Sequence, residues 1–208
     1  MSADRFADMT SILNFGLGSQ NRLADLNKLV AERVGRRDFG QVQELFDELL
    51  EISGETDEDE LVQKERRLQE LQSEFASVRI EMIKEVKLLQ ALRNTNDIYV
   101  ANLEKEIREA NDCLNGLKTA KLHDRKARAD ALQKRIQELH TTKAVGDSFS
   151  QQMKLTEDSL TAMSDRIWNV LMHIMPLLRG RLMVDNSRGM LAETRKLIME
   201  CARDCAQK

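Results

Sequence analysis

The sequence predicts an all-α fold: an elongated helical bundle built on a long antiparallel, coiled-coil-like hairpin, with shorter terminal helices packed at one end. Three observations predict it. The 208 residues include one Pro and 9 Gly, too few breaks for a protein of many strands and turns. Aromatic residues make up 4% of the chain, whereas sheets favour aromatic and β-branched side chains. The chain is also rich in Leu, Glu, Gln, Lys, Arg, Met and Ala, the good helix formers. Residues 1–208 read as one helical domain.

The elements follow in order. Gly16 and Gly18, after Phe15, close a short first segment. Ser19 reads as the cap of a helix from about Gln20 to Val34, where Leu23, Leu26, Leu29 or Val30, and Val34 recur at helical spacing. Gly35 stands where a helix C-terminal glycine belongs. Asp38 reads as the N-cap of the next helix, with Val42, Leu45, Phe46, Leu49 and Leu50 on one face and Ser53-Gly54 as its stop. These short helices occupy residues 1–54.

Thr56-Asp57-Glu58-Asp59 has capping-box spacing and an acidic first turn. From Glu55 to Asn115 there is no Gly and no Pro. Leu61, Leu68, Leu71, Phe75, Val78, Met82, Val86 and Leu89 step by three, four or seven, and the stripe resumes at Tyr99, Leu103, Ile107, Ala110, Leu114 and Leu117. This predicts a long helix over 57–118, roughly 90 Å at 1.5 Å per residue, with the narrow apolar seam of a coiled coil. The polar break at Asn94-Thr95-Asn96-Asp97 is read as facing outward or as setting register.

Gly116 to His123 is the expected reversal. A second long helix, 121–175, returns through Leu132, Ile136, Leu139, Met153, Leu160, Met163, Ile167, Val170 or Leu171, and Ile174. Gly146 costs a helix about 1 kcal/mol relative to Ala, which makes it a candidate kink. Pro176 is expected to end the helix or bend it sharply. Residues 177–208 supply a tail helix from about Met190 to Ala206.

Composition narrows the function. The net charge of −3 opposes a generalised pull toward nucleic acid. The charge is uneven: residues 1–60 carry 6 basic and 14 acidic side chains, and residues 61–208 carry 26 and 21. Three Cys without paired spacing make no disulfide framework, which points to a reducing, cytoplasmic setting. Met1 to Gln20 lacks the basic and apolar regions of a secretory signal. The longest apolar stretch, Ile167 to Leu178, contains Asn169, His173 and Pro176. It is shorter than the roughly 20 residues of a membrane span; peripheral membrane association is the remaining option.

No catalytic, cofactor or metal constellation emerges. His123, His140 and His173 are far apart in sequence, whereas a metal or catalytic site needs converging groups. Asp38-Phe39-Gly40 lacks the glycine-rich loop and strand-borne lysine that would give it a kinase meaning. Cys201 and Cys205, four apart, share a helical face and are the candidate thiol or oxyanion site, although a soft-metal site needs further ligands. Arg179, Arg181 and Arg188 are the candidate anion-binding arginines. Methionines crowd the C-terminal third, and Met makes adaptable surfaces as well as ordinary core. Burial of Ile167–Leu178 against the N-terminal helices is the preferred reading. If that stretch is exposed, Trp168, Met172 and Met175 are the candidate partner-binding residues.

The order of these segments resembles the toxic anion resistance family, the TelA-like tellurite-resistance proteins of bacteria. Four stretches carry the resemblance: Ile12-Leu13-Asn14-Phe15-Gly16 before a leucine-rich helix; Arg37-Asp38-Phe39-Gly40-Gln41-Val42; Leu88 through Leu114, passing Asn94, Asn96, Tyr99, Leu103, Glu104 and Ile107; and Leu132 to Met175 closed by Pro176. They span residues 12 to about 185. Family members are usually longer, and the tryptophan that follows their proline is absent here. The resemblance implies a cytoplasmic bacterial helical protein linked to tellurite or other stress resistance, and supplies no catalytic motif. The combined expectation is a non-enzymatic scaffold or adaptor without cofactor, working through a protein partner or self-association. The alternative is an oxyanion-binding or detoxifying protein.

Overall fold

The structure, a computed structural model, describes residues 9–34, 40–54, 60–119, 124–182 and 188–206. The fold is all-α, and no strand occurs among the described residues. The helices are α1 (Met9–Asn14), α2 (Leu17–Val34), α3 (Gly40–Ile52), α4 (Leu61–Thr119), α5 (Arg125–Asn169), a π-helical turn (Val170–Ile174), α6 (Met175–Leu182) and α7 (Arg188–Ala206). The helix starts proposed at Asp38 and at Thr56-Asp57-Glu58-Asp59 and the C-terminal Gly35 lie outside the described residues; of the reversal expected over Gly116 to His123, residues 116–119 continue α4 and residues 120–123 lie outside the described residues.

The chain forms two compact units. The first combines Met1–Arg36 with Leu89–Leu155, and the second combines Arg37–Leu88 with Thr156–Lys208. The short helices therefore divide: α1 and α2 belong to the first unit, α3, α6 and α7 to the second. Amphipathic helices bury their apolar faces wherever a long-helix seam offers a partner, and these long helices carry an apolar seam along both halves.

In the first unit, Ile12, Phe15 and Leu23 close a core with Leu103, Ile107, Ala110, Leu114 and Leu117 of α4 and Leu132, Ile136 and Leu139 of α5. Gly16 permits the turn from α1 to α2. Its φ of +71° is left-handed, and a Cβ there would stand 2.8 Å from Leu139 Cδ2. The helix starts at Leu17 rather than Gln20. Ser19 is no cap: its hydroxyl donates to Glu106 Oε1 at 2.8 Å. Arg135, buried, donates through Nε to the Phe15 carbonyl at 2.7 Å and pairs through Nη1 with Glu138 at 2.8 Å. It thus fastens the N-terminal turn to α5.

Asn96 corrects one half of the reading of the polar break. Asn94 and Asp97 face out, but Asn96 is fully buried and points into the first unit. Gly146, buried, introduces no break, and α5 runs through it.

In the second unit, α3 contributes Val42, Leu45, Phe46, Leu49 and Ile52. Phe46 meets Phe75 of α4 edge to face, ring centroids 5.3 Å apart. Leu50 is only partly buried. The helix stops as expected: the Ser53 hydroxyl donates to the Leu50 carbonyl at 2.7 Å and the Gly54 N–H to the Glu51 carbonyl at 3.0 Å. Helix α7 packs on α3, with Ile198 and Ala202 buried. Arg67 of α4 pairs with Glu48 of α3 and with Glu70 and Glu74 of its own helix.

Pro176 does not end the helix, which continues as α6 to Leu182. The preceding turn widens instead. The Met175 N–H donates to the Val170 carbonyl, five residues back. A proline ring collides with the carbonyl four residues before it and offers no N–H, and a π turn relieves both conflicts without breaking the helix. The widened turn also sends adjacent residues inward: Ile174 and Met175 are both buried.

Candidate functional site

The second unit carries an exposed apolar face on the run from α5 to α6. Trp168, the chain's one tryptophan, is 45% exposed, Met172 is 50% exposed and Leu177 is 44% exposed. Pro176 and Gly180 are exposed on the same run. Met175 is different: it is 3% exposed and belongs to the core. The structure therefore brings Trp168 and Met172 to the surface and removes Met175 from the candidate surface. The preferred burial of this whole stretch is corrected in the same way. Ile167, Val170, Ile174, Met175 and Leu178 are buried, and they use up the inward positions of the helix.

Helix α4 supports this face. The Arg79 guanidinium lies over the Trp168 ring, 4.4 Å from its centroid, a cation–π contact that holds the indole flat. Arg79 Nε also donates to the carbonyl of buried Ser164 at 3.3 Å. One helical turn beyond Met172, Gln72, Met175, Pro176, Arg179 and Gly180 line a cavity of about 310 Å³. Arg179 Nη2 donates to Gln72 Oε1 at 3.2 Å across it. Gly180 leaves its surroundings open, with nothing within 4 Å of where a Cβ would stand.

The thiol pair sits elsewhere in this unit. Cys201 and Cys205 are half-buried on α7. Burial pushes both thiols above their ordinary value, and the neighbouring Cys205 and Asp204 push Cys201 further. Arg166 opposes this at Cys205 by a hydrogen bond to the thiol. Its guanidinium also meets the backbone carbonyl and the carboxylate of Asp204. Among the described residues no group of three or more His, Cys, Asp or Glu gathers as metal ligands. His140 and His173 are both exposed.

Of the candidate arginines, Arg179 borders the cavity, and Arg181 has buried Nε and Nη1 without hydrogen-bond partners among the described residues. The side chain of Arg188 lies outside the described residues. Arg179 and Arg181 are two apart, a spacing that does not bring helical side chains to one face. Sequence reading missed Gln72 and Arg79 of α4. Their signal was present: they are seven apart on the helix that carries the heptad stripe, at polar positions flanking the apolar seam.

No helix is long and apolar enough to cross a membrane among the described residues. No protein-family model matches the chain, and neither a curated protein nor a solved structure was found that matches it.

Proposed function

We propose that this chain is a non-enzymatic helical adaptor that works by contact, with the face around Trp168 and Met172 as its docking surface. One observation carries the reading: a half-exposed tryptophan, pinned by Arg79, continues into Met172, Pro176 and Leu177 along one stretch of helix. Aromatic, Met and Arg side chains are the types enriched where proteins bind one another. A pinned indole loses little further side-chain freedom on binding. The sequence resemblance to the TelA-like family adds the proposed setting, a stress-resistance assembly in the bacterial cytoplasm. Thiol-based oxyanion chemistry has less support, because the reactive form of cysteine is the thiolate and burial disfavours it at both Cys201 and Cys205.

The test is photo-crosslinking from position 172 in the source cells, with cytosolic and membrane fractions analysed separately by mass spectrometry. The expected result is one protein adduct in near-stoichiometric yield, lost when Trp168 is changed to Ala. Absence of any adduct in both fractions overturns the docking surface.

A further inference from the structure

The Trp168 face has an electrostatic character as well as an apolar one. Trp168, Met172, Pro176 and Gly180 follow at four-residue steps, and all are exposed. A guanidinium stands at each end: Arg79 over the Trp168 ring, and Arg179 beside Pro176 and Gly180. Both are held by neutral groups, Arg79 by the Ser164 carbonyl and the indole, Arg179 by the Gln72 amide. Elsewhere Arg66, Arg67, Arg108, Arg135 and Arg166 pair with carboxylates. Asp165, about one turn before Trp168, is an exposed carboxylate at the opposite end of the run from Arg179. The face thus fixes two planar cations in position, and among the described residues neither pairs with a carboxylate.

We infer that this face receives an acidic amphipathic helix of a partner protein. The inference rests on the contact reading above and specifies the partner's chemistry. Exposed apolar groups one turn apart match the i, i+4, i+7 anchors of a helix laid into a groove. Guanidinium groups prefer carboxylates, which they bind through paired hydrogen bonds. The cavity between Arg179 and Pro176 is at the small end for a ligand pocket, and suits one inserted apolar side chain.

Because Trp168 is the sole tryptophan, its fluorescence reads this face directly. The full chain is titrated with a synthetic helical peptide of about five turns that has Leu at i, i+4 and i+7, Glu on both flanks and no Trp or Tyr. A counterpart has Lys in place of Glu. The expected result is a saturable blue shift with the Glu peptide and binding at least about tenfold weaker with the Lys peptide. Met172→Glu and Arg179→Glu are each expected to weaken the Glu peptide by about tenfold or more, and Arg179→Gln to do so by less. Equal binding of both peptides, still lost in Met172→Glu, overturns the acidic partner and leaves the docking surface standing. No response to the Glu peptide also overturns the acidic helix, while a crosslinked partner at position 172 still supports the docking surface. A larger shift with phosphatidylglycerol vesicles than with the Glu peptide overturns it in favour of a membrane surface.

Discussion

The side-chain amide of Asn96 donates to the backbone carbonyl of Gly146 at 2.9 Å, and both residues are buried. The polar break in α4 and the glycine in α5 are thus two halves of one contact. A Cβ on Gly146 would stand 2.7 Å from Val100 Cγ2 and 2.9 Å from Leu23 Cδ2. Val100 of α4 and Leu23 of α2 therefore pack directly against the bare Gly146 backbone of α5, beside the carbonyl that Asn96 reaches. Apolar seams alone tolerate slippage by a heptad. A single buried amide with one matching acceptor penalises every other register.

Gly146→Ala is expected to destabilise the protein by about 1 kcal/mol. The gain in helix propensity is about 1 kcal/mol, and overpacking costs about 1–3 kcal/mol. Val100 is β-branched and has little rotamer freedom with which to yield. Urea unfolding checks this, and Val100→Ala in the same chain should recover most of the loss. A Gly146→Ala midpoint at or above that of the parent would show that Val100 and Leu23 give way.

Asn96→Asp should be worse than Asn96→Ala. It sets a carboxylate oxygen against a carbonyl oxygen and buries a charge without a partner. A cost of about 2–4 kcal/mol is expected for Asp and about 1–2 kcal/mol for Ala. Equal midpoints for the two variants in urea would mean that the carboxylate adds no cost beyond loss of the amide, and an Ala midpoint equal to the parent's would mean that the amide donor contributes nothing.

Trp168 and Met175 lie seven residues apart and should respond oppositely. Trp168→Ala removes a half-exposed ring and should change thermal stability little, while abolishing partner capture. Met175→Ala opens a cavity in the core and should cost about 2–5 kcal/mol. A large stability loss in Trp168→Ala would place the indole in the core and remove it from the docking surface.

Arg67 joins α3 to α4, and its carboxylate partners, Glu48 first, hold its pKa above the ordinary arginine value. The network is partly exposed, so Arg67→Gln should cost about 1 kcal/mol or less, and molar salt should shrink the difference. A salt-independent loss would assign the effect to packing of the side-chain stem.

The thiols of Cys201 and Cys205 should alkylate more slowly than free cysteine near pH 8. Burial raises both above the ordinary value of 9.0, so the folded state favours the protonated form. The stability this contributes is complete below the unfolded thiol's pKa and is lost as pH rises through the folded one. Denaturation midpoints from pH 8 to pH 11 should therefore fall less in a Cys201→Ser/Cys205→Ser double variant. Iodoacetamide rates matching those of free cysteine would contradict the burial of these thiols.

Helix identity and most of the core were legible because the apolar spacing of α4 and α5 is regular over many turns. Leu68, Leu71, Phe75, Leu103, Leu132 and Met163 are all buried where the stripe places them. What could not be read was pairing. A short amphipathic helix declares an apolar face and not which stretch of a long seam covers it, so the sequence does not show that α2 and α3 belong to different units. The fate of Pro176 was hidden for a related reason. Proline forbids one backbone hydrogen bond, and a break or a π turn satisfies that prohibition equally; the choice is made by neighbours such as Ile174 and Met175. At the candidate site, Trp168 and Met172 were visible as residue types. Arg79 and Gln72 became partners of that face only through tertiary packing.

The packing of α7 on α3 has a consequence for synthesis. Phe46 and its neighbours on α3 leave the ribosome well before Ile198. At about 5–20 residues per second the interval is roughly 8–30 s. For that time the greasy side of α3 has no α7 to cover it. The nascent chain must either be shielded by a chaperone or rely on α4, whose Phe75 emerges sooner, as a provisional cover. Slowing translation between α4 and α7 should raise aggregation of this chain, and an extra copy of α7 supplied as a peptide should lower it.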